Sequence, residues 1–400
     1  MKSIPFWNPL PEYEEIGSEV HTAITRVLSS GTLILGPEVA TFEKAFATFV
    51  GCRWGIGVGN GTDAIILSLK ALGVGRGDEV ITAANTAIPT VAAIIEAGAS
   101  PRLVDVLPDT LLMDPSKLPR IVTKHTRCII PVHLYGQSCD MDAIMKIART
   151  NKLFVLEDCA QATGAEYTHI RHRETVLTAK RSLKDCGACP EQFRIRLLRF
   201  ARNDSEGSPR NDILKVGSIG DIAAFSFYPT KIIGAYGDGG MITTNNANLA
   251  KRARMLRMYG TQGSYIAKIE GGVNSRLDEL HAAILSVKLK YIKKWIKERR
   301  RLAQRYQLEK LVNNHVYHLY IVRHKNRDAI RAHLQKRGIE TLVHYPIPIH
   351  LMPAYKNLGY KKGSFPVAEE ACKTVFSLPL YPGLTDEEQD RVIEVLRSYF

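Results

Sequence analysis

Short apolar runs alternate with amphipathic segments through the first half of the chain. The apolar runs have the length of β-strands: WGIGVGNG, EVITAAN, PRLVDV, RCIIPVHLYG and KLFVLEDCA. Between them, residues 37–49, 62–72, 89–98 and 141–151 carry apolar side chains at helical spacing. Strands and helices repeated in this order are typical of a mostly parallel sheet with helices on both faces. The pattern therefore predicts an α/β fold with one large sheet.

The pattern changes after about residue 300. A strand, VYHLYIVR, and a helix ending at Gly338 are followed by IETLVHYP and a closing helix from Asp386. The preceding stretch, which includes KLKYIKKWIKERRR, has apolar positions at helical spacing and predicts one long amphipathic helix. We therefore predict a large domain over 1–277, a linking helix over 278–308 and a smaller C-terminal α+β domain over 309–400.

The predicted strands of the large domain place four polar segments at one edge of the sheet. Gly59–Thr62, Thr86–Pro89, His133–Gln137 and Asp158–Thr163 each follow a predicted strand. Ligands of open α/β sheets bind beyond the carboxyl ends of the strands. We therefore expect these four segments to line one crevice, although they lie far apart in the sequence.

Residues 168–214 interrupt the alternation of strands and helices. They contain ten Lys or Arg against six Asp or Glu, show no sustained period, and are rich in residues typical of surface loops or disorder. Because the pattern continues on both sides, we interpret this segment as an insertion in the large domain. The free energy of closing a loop grows only slowly with its length, so a surface insertion can be tolerated.

Composition is that of a soluble globular protein, with 45% hydrophobic and 24% charged residues. The chain has no apolar run of about 18 residues, the length that a membrane span requires. Its first residues turn to proline and acid where a secretory signal needs an apolar stretch. Seven scattered cysteines argue against a disulfide framework. We therefore expect a cytoplasmic protein with no membrane partner.

Cys186 and Cys189 form a lone CxxC, so no metal site is predicted.

The net charge of +14 raises the alternative of nucleic-acid binding. The basic residues concentrate in 168–214 and 288–301. In the second stretch they alternate with apolar positions at helical spacing, which indicates the solvated face of an amphipathic helix. We therefore expect no nucleic-acid partner. Tight, salt-sensitive binding of nucleic acid that disappears when 168–214 is deleted would favour the alternative.

Two charged residues at predicted strand ends are candidates for chemistry. Lys231 follows the apolar strand AAFSF and precedes the glycines at 237, 239 and 240. A lysine held in such a crevice loses hydration, its pKa falls, and its free amine can attack a carbonyl carbon. Asp158 ends the strand KLFVLEDCA, where a buried carboxylate needs a partner. Taken singly, a surface lysine and a hydrogen-bonded strand-end acid are the alternatives.

A candidate anion site lies where Asn60-Gly61-Thr62 precedes a helix. Backbone N–H groups, a hydroxyl and the helix dipole favour a phosphate there, although threonine is also a common helix cap. The segment contains no GxxxxGK[ST]. A GxGxxG frame that starts at Gly55 meets Asn60, and one that starts at Gly57 meets Thr62. The sequence therefore disfavours a dinucleotide site.

Six segments resemble the DegT/DnrJ/EryC1/StrS family of sugar aminotransferases: GNGTDAI, EDCAQATGAEY, GSIGDIAAFSFYPTK, GDGGMI, GGVNSRLDELHAAIL and HYPIPIH. The similarity covers nearly the whole chain apart from 168–214. It implies the aspartate-aminotransferase-like fold, known as PLP fold type I, and pyridoxal phosphate (PLP) as cofactor. It also implies that Lys231 carries PLP as a Schiff base, that Asp158 pairs with the pyridine nitrogen, and that Gln161 lies beside the ring oxygen.

The resemblance extends to the cofactor phosphate, the partner subunit and the substrate. The residues that it implies for phosphate binding are Gly61, Thr62 and Ser226. Asn274 matches an asparagine that reaches the cofactor phosphate of the neighbouring subunit, which implies a homodimer. His344 and Tyr345 match a segment that lines the sugar-nucleotide pocket.

The implied reaction has two halves. L-glutamate gives its amino group to the cofactor, and the group then passes to a nucleotide-linked 3- or 4-keto-6-deoxyhexose, for surface polysaccharide or related amino-sugar biosynthesis. The released amine of Lys231 would move the proton in both halves. The resemblance favours transamination over dehydration, because dehydratases of the family have histidine in place of this lysine.

Three departures from the family pattern leave an alternative open. Ala87 stands where many members have an aromatic residue that packs on the PLP ring. The insertion 168–214 replaces a short connection, and the link RYQLEKLVNNHVYHLY is shorter than usual. The alternative is a PLP-binding homologue with lost or regulatory function.

Overall fold

The computed structural model describes residues 3–170, 211–263, 265–309, 312 and 314–400. The strands in these residues are β1 Trp54–Val58, β2 Glu79–Ala83, β3 Ser100–Val104, β4 Thr126–Ile130, β5 Phe154–Asp158, β6 Glu166–Ile170, β7 Asn211–Lys215, β8 Ile222–Ser226, β9 Gly240–Thr244, β10 Tyr320–Arg323 and β11 Val375–Leu378. The helices are α1 Leu10–Ser30, α2 Pro37–Val50, α3 Gly61–Leu72, α4 Ile88–Glu96, α5 Leu118–Ile121, α6 Met141–Thr150, α7 Ala247–Leu256, α8 Glu279–Tyr306, α9 Arg327–Lys336, α10 Pro366–Thr374 and α11 Asp386–Leu396.

A seven-stranded sheet in the order β1-β9-β8-β5-β4-β2-β3 forms the centre of the fold. Five neighbouring strands, from β8 to β3, are parallel, and β9 is antiparallel to both β8 and β1. Successive residues of β8 face opposite sides, because Ala224 packs in the core with α3, α4 and α6 while Phe225 packs in the core with α2 and α8. The predicted α/β fold with a large, mostly parallel sheet is confirmed.

The C-terminal part of the chain has a small core of its own. Strands β10 and β11 pair antiparallel, and residues from α8, α9 and α11 pack around them. Ile4 belongs to this core and forms a parallel bridge with Ile339, so the start of the chain packs against residues near its end. The division into domains at 277 and 308 stays a prediction.

Helix α1 was not predicted from the sequence. Its buried residues follow helical spacing at Ile16, Val20, Ala23 and Val27, and they pack on one side of α8. The proline and acidic residues of the first turn obscured this pattern. No helix in the described ranges combines the length and the apolar character needed to cross a membrane.

The basic stretch of α8 is paired with acids of α1. Lys288 Nζ lies 2.5 Å from Glu12 Oε1, and Lys290 Nζ lies 2.7 Å from Glu19 Oε2. The ion pairs that join the two helices are Lys288–Glu12, Lys290–Glu19 and Lys294–Glu15. These three lysines are therefore partly neutralised within the chain, which weakens the argument from charge for nucleic-acid binding.

The predicted irregular structure of 168–214 is wrong at the two ends of the segment. Strands β6 and β7 form an antiparallel ribbon, in which Ile170 pairs with Asn211 and Tyr167 pairs with Leu214. The five-residue strands are too short for their period to stand out beside a polar segment. Residues 171–210, including the CxxC, lie outside the described residues, and their interpretation as an insertion stays a prediction.

The ribbon is fixed to the fold near its base. The hydroxyl of Tyr167 donates to Asp140 Oδ1 over 3.2 Å, at the start of α6, and Lys215 Nζ donates to Phe49 O over 2.6 Å. The amide of Asn314 donates to Thr168 Oγ1 over 3.1 Å. The base of the predicted insertion therefore contacts the link RYQLEKLVNNHVYHLY, which contains Asn314.

Replacing 171–210 with Asn-Gly should leave the fold intact. The paired ends at Ile170 and Asn211 suit a two-residue hairpin turn, and Asn-Gly favours that turn. We expect a thermal unfolding midpoint within a few degrees of the full chain. A control that deletes 168–214 also removes the Thr168–Asn314 contact and should unfold at a lower temperature. Failure of the Asn-Gly variant to fold would contradict the hairpin interpretation.

Candidate active site

Asp158 and Lys231 lie at the carboxyl edge of the parallel strands. Asp158 is the last residue of β5 and is buried, and its carboxylate accepts hydrogen bonds from Thr90 Oγ1 over 2.8 Å and from Ala160 N over 3.1 Å. Burial raises the pKa of Asp158, while these hydrogen bonds and the charge of Lys231 oppose the rise. The buried carboxylate of Asp158 therefore has only these two hydrogen-bond donors among the described residues.

Lys231 is half-buried in the turn after β8. Burial lowers the pKa of Lys231 to about 8, and the charge of Asp158 opposes the fall. The backbone N–H of Lys231 donates to Tyr228 O over 2.8 Å. A free amine is therefore available near neutral pH, within electrostatic reach of a carboxylate.

The turn that carries Lys231 is held from the side of α8. Ala235 N donates to Phe227 O over 2.7 Å, and the buried Lys288 Nζ donates to Gly234 O over 2.6 Å. Lys288 also lies 4.1 Å from the centre of the Tyr236 ring. The position of Lys231 is therefore fixed by the strand before the turn and the helix behind it.

Glu157, next to Asp158, forms a separate buried network. Its side chain accepts hydrogen bonds from Gly217 N over 2.8 Å, Ile219 N over 2.8 Å and Gly220 N over 2.5 Å. Cys139 N donates to His133 Nδ1 over 3.1 Å, so the proton of a neutral His133 is on Nε2, which donates to Glu157 over 3.1 Å. The network ties the segment after β7 to the end of β5.

His133, Glu157 and Cys159 are close enough together to bind one metal ion. The hydrogen bonds from backbone N–H groups already occupy both carboxylate oxygens of Glu157 and Nδ1 of His133. A metal ion there would have to break these bonds. We therefore assign this buried group to the hydrogen-bond network.

The predicted phosphate residues lie where α3 begins beside the end of β8. Asn60 caps α3, and its side chain accepts a hydrogen bond from Asp63 N over 2.8 Å. Gly61 approaches Ser226 so closely that a Cβ on residue 61 would lie 2.7 Å from the Ser226 Cβ. Gly61, Thr62 and Ser226 therefore place backbone N–H groups and hydroxyls together, as an anion site requires.

Gln161 connects two segments of the site. Its Oε1 accepts a hydrogen bond from Tyr135 N over 2.7 Å, and its Nε2 donates to the Tyr345 hydroxyl over 2.8 Å. The Tyr135 hydroxyl donates to His344 O over 2.5 Å. These bonds hold the predicted substrate segment, His344 and Tyr345, against the carboxyl edge of the sheet.

His344 has its own contacts within the site. Its Nδ1 lies 2.7 Å from Ser377 Oγ of β11. Burial and the positive charge of Lys231 lower the pKa of His344 to about 4, so its imidazole is neutral near pH 7. The effect of Lys231 on the pKa of His344 indicates that the two side chains interact electrostatically.

Two predicted features stand apart from these contacts. Asn274 is exposed, and the described residues give its side chain no contact with Lys231, Asp158 or the start of α3. Its predicted role toward a neighbouring subunit stays a prediction. Ala87 is half-buried and lies immediately before α4. Its methyl group stands at the position where the resemblance implies an aromatic ring.

Sequence reasoning missed three residues of the site. Thr90 and Tyr135 donate hydrogen bonds to site groups. His318 is buried, and its burial and the charge of Lys231 lower its pKa. Thr90 and Tyr135 lie in or next to the polar segments that follow predicted strands, which was a usable signal. His318 lies in VYHLYIVR, which gave no signal beyond a strand.

Comparison with known proteins gives a consistent result. A model of a protein family, described as the DegT/DnrJ/EryC1/StrS aminotransferase family, matches residues 14–397. A "dTDP-3-amino-3,4,6-trideoxy-alpha-D-glucose transaminase" of Micromonospora megalomicea subsp. nigra is 40% identical, and the match covers 98% of this chain and 97% of that protein. A "Pleiotropic regulatory protein" of Geobacillus stearothermophilus is 39% identical, with 100% and 99% covered.

Solved structures agree with these matches. The structure of S. venezuelae DesV in complex with a ketimine intermediate has a TM-score of 0.86 and 37% identity, covering 100% of this chain and 99% of that chain. The structure of NtdA from Bacillus subtilis with bound cofactor PMP has a TM-score of 0.81 and 30% identity, covering 99% and 85%. The similarity therefore extends over the whole architecture.

The lowered pKa of Lys231 predicts how cofactor uptake depends on pH. Because the free amine reacts, the rate at which apoprotein captures PLP should rise with pH and level off above about 8. Stopped-flow absorbance of the forming complex measures this rate, and Lys231→Ala is the control without covalent capture. A rise that continues to the ordinary lysine value of 10.5 would contradict the assignment.

Glu157→Gln should destabilise the protein. The amide can accept through one oxygen only, and its NH₂ group would face backbone donors, so the free energy of unfolding should fall by about 3 kcal/mol. Chemical denaturation followed by circular dichroism measures the change. Glu387→Gln, on the exposed face of α11, is the matched control and should stay within about 0.5 kcal/mol of the unchanged protein. Equal stability of the two variants would contradict a role for the Glu157 network.

Proposed function

Because the chain belongs to the DegT/DnrJ/EryC1/StrS aminotransferase family, we propose that it transfers an amino group from L-glutamate to a keto-sugar linked to a nucleoside diphosphate. It is a sugar aminotransferase, and the cofactor of such enzymes is pyridoxal phosphate. The observation that carries the proposal is the lowered pKa of Lys231, within electrostatic reach of the buried carboxylate of Asp158.

The residues of the site fit this cofactor. Asp158 is buried with two hydrogen-bond donors and a raised pKa, so a cationic group beside it would offset the cost of its burial. A protonated pyridine nitrogen is such a group. The close approach of Gly61 to Ser226 brings donors together for a phosphate. When bound, pyridoxal phosphate supplies an aldehyde carbon that accepts amino groups and a ring that withdraws electrons.

We assign the cofactor residues as follows. Lys231 would hold the cofactor through Nζ and, once released, would carry a proton to and from the substrate carbon. Its pKa near 8 suits a group that takes up and returns a proton at neutral pH. Asp158 would hold the ring nitrogen, and Gln161 would lie beside the ring oxygen. The residues that bind the phosphate are Gly61, Thr62 and Ser226.

His344 and Tyr345 bind the sugar nucleotide in this proposal. Their contacts with Tyr135 and Gln161 support it, because those contacts hold the segment against the crevice. The keto group is at C3 or C4 of a 6-deoxyhexose, and the product serves surface polysaccharide or related amino-sugar biosynthesis. The enzyme works in the cytoplasm, where nucleotide sugars are made and used.

A homodimer with shared active sites is part of the proposal. Asn274 is exposed and free to reach the cofactor phosphate of a neighbouring subunit. Large apolar side chains near the site, including Ile88 at 49% exposure and Tyr228 at 53%, are also exposed in the single chain. A partner subunit that covers them would remove this apolar surface from water.

A two-step absorbance titration tests the proposed function. L-glutamate added to the PLP-loaded protein should abolish the visible band of the bound cofactor. A panel of dTDP-, UDP- and GDP-linked keto-sugars should then include one that restores the band. Lys231→Ala is the matched control. It should respond more slowly in both steps by a factor of about a thousand, because it lacks the general base. No response of the unchanged protein to glutamate would refute the proposal.

A second candidate function is regulatory. The relative from Geobacillus stearothermophilus carries a regulatory name, which favours this alternative. In that case the chain would bind PLP without turnover. The same titration separates the two functions, because a regulatory protein would show the visible band but would keep it when glutamate is added.

A further inference from the structure

Two threonines beside Asp158 form a short chain of hydroxyl groups. Thr86 lies between β2 and α4, and Thr90 is the third residue of α4. Thr86 Oγ1 lies 2.8 Å from Thr90 Oγ1, which lies 2.8 Å from Asp158 Oδ2. All three residues are buried. The chain of hydroxyls therefore ends on the carboxylate that the proposed function assigns to the pyridine nitrogen of the cofactor.

An ionised Asp158 determines which way the hydrogen bonds of this chain point. A carboxylate can only accept hydrogen bonds, so the hydroxyl of Thr90 donates to Asp158. A threonine hydroxyl has one proton, and that of Thr90 is then already used. The hydroxyl of Thr86 must therefore donate to Thr90. Both hydroxyl protons point toward Asp158, and the hydrogen bonds of such a chain polarise one another.

Thr90 also helps to fix the orientation of the carboxylate. Of the two oxygens of Asp158, Oδ1 accepts a hydrogen bond from Ala160 N over 3.1 Å, and Oδ2 accepts the one from Thr90. Ala160 follows Asp158 in the same segment, whereas Thr90 belongs to a separate helix. The two donors therefore hold both oxygens of the carboxylate from different parts of the fold, which restricts its rotation.

We propose that Thr86 and Thr90 are positioning residues that keep the carboxylate of Asp158 ionised and oriented toward the pyridine nitrogen of the cofactor. The proposal rests on the function given above, in which Asp158 holds that nitrogen. A hydrogen bond donated to a carboxylate favours its charged form. A charged carboxylate in turn favours a proton on the ring nitrogen beside it. Thr86 acts through Thr90, because its hydroxyl bonds Thr90 and not Asp158.

The alternative is that the two threonines only satisfy buried polar groups and stabilise the fold. Thr82 of β2 offers a matched comparison, because it is also buried and its hydroxyl donates to Ile130 O over 3.1 Å. Thr82→Val therefore removes a buried hydroxyl and its hydrogen bond without changing the chain of Thr86 and Thr90. A difference between Thr90→Val and Thr82→Val separates the proposed role from general stability.

Nuclear magnetic resonance of the protein loaded with pyridoxamine phosphate, labelled with ¹⁵N in the ring, tests the proposal. The chemical shift of the ring nitrogen reports whether this nitrogen carries a proton. We expect the signal of a protonated ring in the unchanged protein. Thr90→Val should move the signal toward that of a neutral ring, and Thr90→Ser, which keeps the hydroxyl, should restore it. Thr82→Val should leave the signal unchanged.

The affinity for pyridoxamine phosphate gives a second readout that needs no turnover. This form of the cofactor has an amine in place of the aldehyde and does not bond to Lys231, so calorimetric titration reports on the noncovalent contacts. Thr90→Val should weaken binding about tenfold, because a hydrogen bond to a charged group is lost. Thr86→Val should weaken binding less and move the ¹⁵N signal in the same direction. This second variant keeps the proposal testable if Thr90→Val does not fold.

Three outcomes would overturn the assignment of the two threonines. These are an unchanged ¹⁵N signal in both Thr90→Val and Thr86→Val, an equal change in Thr82→Val, and no recovery of the signal in Thr90→Ser. Failure of the unchanged protein to bind pyridoxamine phosphate is different, because it would refute the cofactor in the proposed function before any variant is tested.

Discussion

The active site depends on two adjacent buried carboxylates at the end of β5. Side chains that follow one another along a strand face opposite sides of the sheet. Glu157 faces a side where three backbone N–H groups and His133 satisfy it, so it fixes structure. Asp158 faces the crevice with Thr90 and one backbone N–H, and its pKa is raised by burial. The carboxylate of Asp158 is therefore the one that a cationic group can stabilise. Lys231 and the start of α3 lie around it.

This arrangement explains how the chain accommodates a long segment between Asp158 and Lys231. The segment leaves and returns through the ribbon of β6 and β7, whose strands are paired in register. Immediately after β7, the hydrogen bonds from Gly217, Ile219 and Gly220 to Glu157 fix the path of the chain into β8. The strand that leads to Lys231 is thus positioned by Glu157 from the opposite face of the sheet.

The parts of the fold with a strong local pattern could be predicted from the sequence. Continuous apolar runs gave the parallel strands, and the rule that carboxyl ends meet at one edge brought Asp158 together with Tyr135 and Gln161 in the crevice. Helix α1 was missed because Pro11 and the acids of its first turn obscured an amphipathic pattern. His318 could not be found, because its position depends on the backbone hydrogen bonds that Val316 and Leu319 donate to Gly136 and Tyr135, which are distant in sequence. The role of Asn274 rests on the resemblance, because the single chain contains no partner subunit for it to contact.

The central claim is that Lys231 forms the covalent bond with pyridoxal phosphate in this crevice. Reduction of the purified PLP-loaded protein with borohydride, followed by protease digestion and mass spectrometry, locates that bond directly. The account predicts a stable phosphopyridoxyl group on the peptide that contains Lys231, and none on that peptide in Lys231→Ala. A phosphopyridoxyl group on a different lysine, or unmodified Lys231 in protein that shows the visible band, would contradict it.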